Sequence, residues 1–336
     1  MSIWNKIKEK GLASYVLDIG GKIQPLTVPS DLTGGTGLMN PSVYFDNDVN
    51  KLYVNVRHIN YTLYHSENRK FSHLYGPLQY IHPGHDRTLT TVNYLCELNN
   101  NLEIINTNKV DTSELDEKPK WHFIGLEDAR LFKWDGKYYL CGVRRDTIEG
   151  GQGRMELSEI EISDDKVKEI SRFRIPTTKD DKTYCEKNWV PMLDRPYQFV
   201  KWTNPTEVVK VDKKNGKTET IILDETKRLP LPYDLRGSSQ VLNFNEYYFT
   251  ITHETQLFKD DLKRKDGLYR HRIIVWDKDF NFVHYSPSFS FMMANIEFCC
   301  GASWFNNDLL ISFGFQDNSA FILRIPKDTF LKLINL

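Results

Sequence analysis

The sequence predicts an all-β protein, a five-bladed β-propeller with short terminal helices. First, apolar and polar residues alternate from Val43 to Ile325, the period of strands that bury one face. Second, turn signals such as Asp135-Gly136 separate the strands at hairpin spacing. Third, one hairpin pattern occurs five times along the chain. Repetition of a single supersecondary unit is typical of propellers.

Each copy of this pattern opens on polar or small residues, turns tightly and returns in a second strand that ends on polar residues. The core hairpins are predicted near residues 40–57, 126–144, 187–201, 236–253 and 300–317. A second, more amphipathic hairpin after each would complete a four-stranded blade. We therefore expect residues 1–336 to form a single propeller domain, with inserted loops between Glu67 and Pro119. A β-sandwich built from similar hairpins is the alternative.

Helical periodicity is confined to the two ends of the chain. Ile3, Ile7 and Leu12 indicate a short first helix, which Gly11 is expected to end. The second predicted helix extends over residues 327–336.

Composition limits the class of protein. The 336 residues carry a net charge of −1, and 40% of them are hydrophobic, which is enough for a large core. A near-neutral charge argues against nucleic acid as the main partner, because binding to the phosphate backbone needs a basic face. The chain has neither an apolar run of membrane-spanning length nor a signal-peptide pattern at its start. We expect a cytoplasmic protein, and homo-oligomerisation is left open.

Cysteine and histidine residues give no support for a metal site. The five cysteines are odd in number and contain no two-residue-spaced pair, which argues against a disulfide framework or a zinc site. Cys141 and Cys299 lie in apolar strand patterns and are expected to be small buried residues. His82, His85 and Asp86 have no further ligands at suitable spacing, so a surface loop is expected there. We expect neither a metal nor a cofactor.

The most specific motif is Glu127-Asp128-Ala129-Arg130, at the start of the second core hairpin. Adjacent residues of a strand point to opposite faces, so one acid can enter an axial cleft while the other contacts neighbouring loops. The apolar flanks predict desolvation of Asp128 and a raised pKa, as a general acid requires. The alternative is a structural carboxylate paired with Arg130 or Arg144.

Basic residues occur at the ends of the later core hairpins. A hairpin brings its two ends to the same edge of the sheet, so these residues are expected to share a face with Asp128. Alone, each would be a solvated surface charge, but together they suit an anion with several oxygens, such as phosphate. No glycine-rich strand-to-helix loop is present, which argues against a dinucleotide site. The basic residues are Lys187, Lys201, Arg236 and His253.

With these residues assembled, the chain resembles the five-bladed propellers of glycoside hydrolase family 130, the β-mannoside phosphorylases, and the related β-mannosyltransferases. The resemblance extends over about residues 38–325 as short spaced motifs. It implies that Asp128 is the catalytic acid, although Ala129 stands where the family has proline. It also implies a sugar-binding set. That set is Asn40, Ser42, Arg57 and Asp317, and we add Trp189 as an aromatic residue that could stack on a sugar.

The resemblance further implies a phosphate site at Lys187, Lys201, Arg236, His253 and Tyr269. Each cation stays basic, but lysine and arginine are exchanged relative to the family, and the two are not equivalent at bidentate sites. Anion binding is therefore implied, whereas inorganic phosphate in particular is not. The implied mechanism is inverting: Asp128 protonates the glycosidic oxygen while phosphate attacks the anomeric carbon from the opposite face.

We therefore expect an enzyme that transfers a glycosyl unit, of the mannosyl type, to or from a phosphate-bearing donor. It would be a glycoside phosphorylase or a glycosyltransferase, with phosphate, a sugar phosphate or a nucleotide sugar as co-substrate and a glycan as partner. A glycosidase of the same fold is one alternative, for which Glu127, Glu186 or Glu254 would activate water. A non-catalytic propeller that binds glycans or proteins is the other, because a fold does not determine a function.

Overall fold

The structure is a computed structural model that describes residues 2–34, 36–61, 70–72, 79–81, 88–178, 183–259 and 265–336. The residues of the expected surface loop, His82, His85 and Asp86, lie outside these ranges, as does part of the expected insertion between Glu67 and Pro119.

Strands dominate the described residues. The helices are α1 (Ile3–Asp18), α2 (Ser30–Thr33) and α3 (Lys327–Leu333). The strands of the first half are β1 (Lys22–Leu26), β2 (Leu38–Asp46), β3 (Lys51–Ile59), β4 (Lys70–Ser72), β5 (Gln79–Ile81), β6 (Leu89–Leu98), β7 (Ile104–Asp111), β8 (Phe123–Ile124), β9 (Glu127–Trp134), β10 (Lys137–Arg144), β11 (Arg154–Ile162) and β12 (Val167–Arg174). Those of the second half are β13 (Val190–Pro191), β14 (Gln198–Thr203), β15 (Thr206–Asp212), β16 (Lys217–Leu223), β17 (Arg236–Gly237), β18 (Leu242–Phe244), β19 (Tyr247–Lys259), β20 (Lys265–Trp276), β21 (Phe282–Tyr285), β22 (Glu297–Phe305), β23 (Asp308–Phe315) and β24 (Ser319–Ile325).

These strands pair into antiparallel units that follow one another along the chain. The first unit has the order β2-β3-β6-β7, the second β9-β10-β11-β12 and the third β13-β14-β15-β16. In the fourth, β17 and β18 pair with successive parts of β19, which is followed by β20 and β21. The last unit combines β22, β23 and β24 with the N-terminal strand β1, which pairs with β24. A parallel contact between β7 and β12 joins the first two units into one sheet.

Apolar side chains fill the space between neighbouring units. Leu95 of the first unit packs with Leu131 of the second, and Val54 of the first unit packs with Leu310 and Ile322 of the last. Similar apolar clusters lie between the second and third units, the third and fourth, and the fourth and last. Because the last unit packs against the first, the array closes on itself, as radial repetition requires. The predicted all-β propeller with short terminal helices is confirmed, and the number of blades stays a prediction.

Helix α1 extends further than the sequence suggested. Gly11 bends the helix, with φ of +82°, but helical structure resumes and continues to Asp18. A Cβ atom at Gly11 would lie 2.5 Å from the carbonyl oxygen of Phe291, so the bend also allows a close backbone approach. Ile7 and Leu12 pack with the fourth and last units. No helix in the described ranges combines the length and the apolar character needed to cross a bilayer.

Strands β2, β9 and β22 of three different units contact one another, and a buried polar network of Ser42, Gln240 and Ser312 connects them. Gln240 Nε2 donates to the carbonyl oxygen of Leu131 at 2.6 Å, and Gln240 Oε1 accepts from the amide of Ala302 at 2.9 Å. Ser42 Oγ accepts from the amide of Leu131 at 2.9 Å, and Ser312 Oγ donates to a β2 carbonyl at 2.6 Å. Hydrogen bonds therefore hold these strands together where apolar packing alone would leave buried amides unpaired.

Replacing Gln240 with leucine is expected to lower the free energy of unfolding by about 2–4 kcal/mol, because two buried main-chain groups lose their side-chain partner. Equilibrium unfolding in urea measures this. The matched control is Gln24→Leu, since the Gln24 amide bonds only weakly to the adjacent Pro25 carbonyl at 3.4 Å. Equal losses in the two variants would show that the network does not stabilise the propeller.

Candidate active site

A cavity of about 760 Å³ lies at the ends of the core hairpins. This volume is in the usual range of small-molecule sites. Its lining draws on loops and strand ends from all the units, which is the convergence that hairpin geometry predicts. The lining includes eight residues of the predicted catalytic, sugar-binding and phosphate-binding sets, and Glu127 as well: Asn40, Arg57, Asp128, Lys187, Arg236, His253, Tyr269 and Asp317 are the eight.

Asp128 is held in place by residues of the first unit. Its backbone φ of +51° lies in a region that residues other than glycine seldom adopt. Its Oδ1 accepts hydrogen bonds from Asn40 Nδ2 and from Arg57 Nη1, each at 2.7 Å. Arg57 also lies 3.5 Å from Glu127 Oε2 and donates from Nε to Thr91 Oγ1 at 3.0 Å. Two residues expected to bind sugar thus also fix the orientation of the expected catalytic acid.

Arg130 fixes the backbone around Asp128. It is 1% exposed and donates to the carbonyl oxygen of Asp128 at 2.8 Å. Its other donors reach the carbonyls of Ser238 and Gly237, at 2.9 and 3.2 Å, and Asn188 Oδ1 at 3.4 Å. Arg130 therefore connects the start of β9 to the third and fourth units. Arg130 bonds the main-chain oxygen of Asp128. The side-chain carboxylate of Asp128 pairs with Arg57 instead.

The pKa of Asp128 lies below its ordinary value. Burial alone would raise this pKa, but the charge of Arg57, followed by Lys187 and the hydrogen bond from Asn40, outweighs burial. The sequence-based expectation of a raised pKa is wrong, because the apolar flanks of Asp128 give no sign of a guanidinium from another unit. Asp128 is therefore ionised at neutral pH.

Asp317 behaves in the opposite way. It follows β23 with φ of +49° and lines the same cavity. Burial raises its pKa to about 7; Arg57 acts against this shift, and the negative charges of Asp128 and Glu127 add to it. Asp128 and Asp317 therefore differ in the same cavity: Asp128 is ionised at neutral pH, whereas Asp317 exchanges its proton near neutral pH.

Stability should depend on pH through Asp317. Because its folded-state pKa is raised, the native state binds more protons than the unfolded chain between about pH 4 and pH 7, and stability falls as pH rises through this interval. Replacing Asp317 with asparagine is expected to flatten this fall and to make the variant more stable than the parent protein above pH 7. Unfolding free energies measured from pH 4 to pH 8 test this. An unchanged slope in the variant would contradict it.

Lys187 and Arg236 form the basic side of the cavity. Within the described residues, neither has a carboxylate oxygen within the 4.0 Å of an ion pair. Arg236 is exposed to solvent and lies over the ring of Trp202, 6.0 Å from its centroid. Two cations of one cavity that form no close ion pair with any described residue are available to bind an anion.

His253 and Tyr269 lie beside these cations. Arg236 and His253 are directly opposite each other in the β17–β19 pairing. Burial, followed by the charges of His271 and Lys187, holds the pKa of His253 well below its ordinary value, so the imidazole is neutral. Its Nδ1 lies 2.9 Å from Ser238 Oγ, and its ring stacks on Tyr269 with centroids 6.0 Å apart. His253 can therefore supply a hydrogen bond but not the charge inferred from the sequence.

Three residues singled out from the sequence lie outside the cavity. Ser42 belongs to the buried polar network described above. Trp189 is 1% exposed and packs in the apolar cluster between the second and third units. Lys201 donates from Nζ to Thr178 Oγ1 at 2.9 Å and lies 3.6 Å from Glu207 Oε1. These contacts are those of structural groups.

The three acids considered for a hydrolase do not all lie in the cavity. Glu127 lines the cavity, whereas Glu186 and Glu254 do not. Glu254 pairs with Arg272 at 3.0 Å, and Glu186 lies 3.9 Å from Lys201. Glu127 is therefore the one of these three that could act on a bound sugar.

Several cavity residues were not singled out from the sequence. Most of them lie in connections or directly follow a strand, and Phe123 and Phe298 lie at the beginnings of β8 and β22, so alternation gives little indication of the direction of their side chains. Arg145 had a usable signal, because it directly follows the predicted end of the 126–144 hairpin. These residues include Tyr61, Phe123, Arg145, Tyr184, Tyr233 and Phe298.

No protein-family model matches this chain, and no curated protein sequence matches it. Solved structures do match. A β-1,2-mannobiose phosphorylase from Listeria innocua is 11% identical, with 93% of each chain covered and a TM-score of 0.55. The mannose phosphorylase MPT-4 from Leishmania mexicana, solved with a phosphate ion, is 12% identical, with 95% of this chain and 93% of that chain covered and a TM-score of 0.52.

A third match is a structure from the GH130 family of mannoside phosphorylases, which also contains glycoside hydrolases that target β-1,2-mannosidic linkages in Candida mannan. It is 11% identical, with 87% of this chain and 85% of that chain covered and a TM-score of 0.55. The chain has the propeller fold of the GH130 proteins. Identities this low make the resemblance distant, and the likeness to these GH130 structures is one of fold alone.

Proposed function

We propose that the protein is a carbohydrate-active enzyme that transfers a glycosyl unit, of the mannosyl type, between a hydroxyl group and a phosphate-bearing group with inversion. One observation carries the proposal: a single cavity holds the fixed carboxylate of Asp128 together with Lys187 and Arg236, two cations that form no ion pair with the residues the structure describes. The fold shared with mannoside phosphorylases supports it.

In the synthetic direction, the Asp128 carboxylate accepts the proton of an acceptor hydroxyl. The hydroxyl oxygen forms a bond to the anomeric carbon as the bond from that carbon to the phosphate oxygen breaks. The bonding electrons leave with the phosphate, whose negative charge Lys187 and Arg236 stabilise. In the reverse direction, protonated Asp128 donates to the glycosidic oxygen while phosphate attacks.

The low pKa of Asp128 means that the form present at neutral pH is the base, which is the form that the synthetic direction uses. Phosphorolysis needs the protonated form. The charge of Lys187 is one of the causes that lower the pKa of Asp128. An anion bound next to Lys187 would offset that charge and make protonation of Asp128 easier. Asp128 would then act as an acid more readily when the phosphate is in place, with Arg57 still opposing its protonation.

The remaining residues would orient the substrate. Neutral His253 would hydrogen bond to the anion without adding charge. Asp317 can either donate or accept a hydrogen bond near neutral pH, which suits a sugar hydroxyl. Asn40 and Arg57 already bond Asp128, so any contact that they make with a sugar would also affect the acid.

A glycosidase is the second candidate, and the position of Glu127 in the cavity favours it. An inverting hydrolase needs a second carboxylate that activates water, with about 6.5–9.5 Å between the two carboxyl groups. Glu127 is adjacent to Asp128 in sequence and lies 3.5 Å from the same arginine. We place it second because hydrolysis gives no role to Lys187 and Arg236.

Product analysis separates the two candidates. The protein is incubated with β-linked manno-oligosaccharides, with and without inorganic phosphate, and with mannose 1-phosphate plus the same acceptors. Phosphorus NMR is expected to show an anomeric phosphate consumed or formed, with no reaction when phosphate is omitted from the phosphorolysis mixture. Release of free mannose at the same rate without phosphate would favour the glycosidase. Sugar binding without turnover would favour a binding propeller.

A further inference from the structure

Arg145 is 8% exposed and, within the described residues, has no carboxylate oxygen within the 4.0 Å of an ion pair, although the more distant charge of Glu127 acts in its favour. It follows β10 and lines the cavity. Its Nη1 donates to the hydroxyl oxygen of Tyr184 at 3.3 Å and its Nη2 donates to Cys185 Sγ at 3.2 Å. Both are weak partners for a guanidinium, and its buried Nε has no hydrogen-bond partner.

Two other arginines near Asp128, Arg57 and Arg130, have the partners that Arg145 lacks. Arg57 pairs with Asp128 and Glu127, and Arg130 donates to four oxygen atoms. A buried charge is costly unless it is paired and hydrogen bonded. Arg145 is thus a buried cation at the wall of a substrate-sized cavity, with one unpartnered nitrogen and only weak partners for the other two.

Aromatic rings fix the guanidinium plane of Arg145. The ring centroids of Phe123 and Tyr184 lie 5.1 and 5.2 Å from its central carbon. Tyr184 is nevertheless 46% exposed and also lines the cavity. An exposed ring beside a fixed guanidinium combines a surface for the apolar face of a sugar with a fork of donors for an oxyanion.

We propose that Arg145 and Tyr184 form a subsite for a sugar that carries its own negative charge, as a carboxylate or as a phosphate ester. The inference rests on the proposed function, since it assumes that the cavity binds a glycan, and it narrows the substrate to an acidic one. Arg145 binds the anionic group, and the Tyr184 ring packs against the sugar. This anion is separate from the one assigned to Lys187 and Arg236.

Isothermal titration calorimetry with mannose, mannuronate and mannose 6-phosphate tests the subsite. The parent protein is expected to bind at least one charged sugar about tenfold more tightly than mannose, because charge-assisted hydrogen bonds are added. Arg145→Met is expected to abolish this preference and to leave mannose affinity within about twofold. Comparing the two charged probes separates a carboxylate site from a phosphate-ester site.

Three further variants control the experiment. Arg195→Met is the matched control, since Arg195 also lies over two rings, those of Tyr248 and Phe280, but does not line the cavity. Tyr184→Ala alters an exposed residue that should not affect folding, and it is expected to weaken all three sugars. In Lys187→Gln/Arg236→Gln, which lacks the proposed phosphate site, the charge preference is expected to persist.

The inference is overturned if charged sugars bind no more tightly than mannose, or if Arg145→Met keeps the preference. It is also overturned if the preference disappears in Lys187→Gln/Arg236→Gln, since the charge would then be bound by the other cations. Inorganic phosphate, titrated separately, distinguishes the two proposals. Binding of phosphate that depends on Lys187 and Arg236 would preserve the proposed function even if the acidic-sugar subsite fails.

Discussion

Replacement of Asp128 by asparagine is expected to lower the rate of glycosyl transfer by about 10²–10⁴-fold, because the amide cannot exchange the proton of the reacting hydroxyl. The amide oxygen can still accept from Asn40 and Arg57, and Glu127 remains near Arg57, so the variant should fold and bind sugar. Initial rates at saturating substrate, together with the melting temperature, separate loss of chemistry from loss of structure.

Glu127→Gln is the matched control for this experiment. Glu127 lines the same cavity and contacts the same arginine, Arg57, and the substitution removes its carboxylate. If the protein catalyses glycosyl transfer, Glu127→Gln should lower the transfer rate much less than Asp128→Asn does. A larger loss from Glu127→Gln would favour the glycosidase, and full activity in Asp128→Asn would contradict the proposed mechanism.

Replacement of Lys187 and Arg236 together by glutamine is expected to weaken binding of inorganic phosphate by about 100-fold or more. The reason is the loss of two charge-assisted contacts, each worth about 1.5–3 kcal/mol. Calorimetric titration of phosphate into the parent protein and the variant measures this. The effect should be greatest at low ionic strength, where exposed charges such as Arg236 are least screened.

Lys201→Gln is the control for the phosphate site. The sequence grouped Lys201 with the same cations, but its Nζ contacts Thr178 and Glu207 outside the cavity. We therefore expect its phosphate affinity to match that of the parent protein. If Lys201→Gln weakened phosphate as much as the double variant did, the anion would bind elsewhere than we propose.

The fold could be predicted largely because its signals are local. Alternation and turn residues placed the hairpin at 126–144, and the structure has β9 at Glu127–Trp134 and β10 at Lys137–Arg144. Pairings between distant segments could not be predicted in this way. The N-terminal strand β1 completes the last unit, and β7 pairs in parallel with β12, because tertiary contacts rather than local pattern select these partners.

The site was predictable only where strand alternation holds. The register shifts between Met39 and Ser42 in β2, and again between Val200 and Trp202 in β14. Such bulges re-aim side chains and are not visible in an alternating pattern. They lie where Ser42 and Lys201 were expected to enter the cavity. The low pKa of Asp128 was equally hidden, since it depends on Arg57 from another unit.

A structure of the protein with phosphate and mannose bound would show whether Asp128 and the two cations act on one substrate. We expect phosphate oxygens within about 2.7–3.2 Å of both Lys187 and Arg236, with the anomeric carbon of the sugar between the phosphate and Asp128. Phosphate bound away from both cations, or a sugar with no oxygen near Asp128, would contradict it.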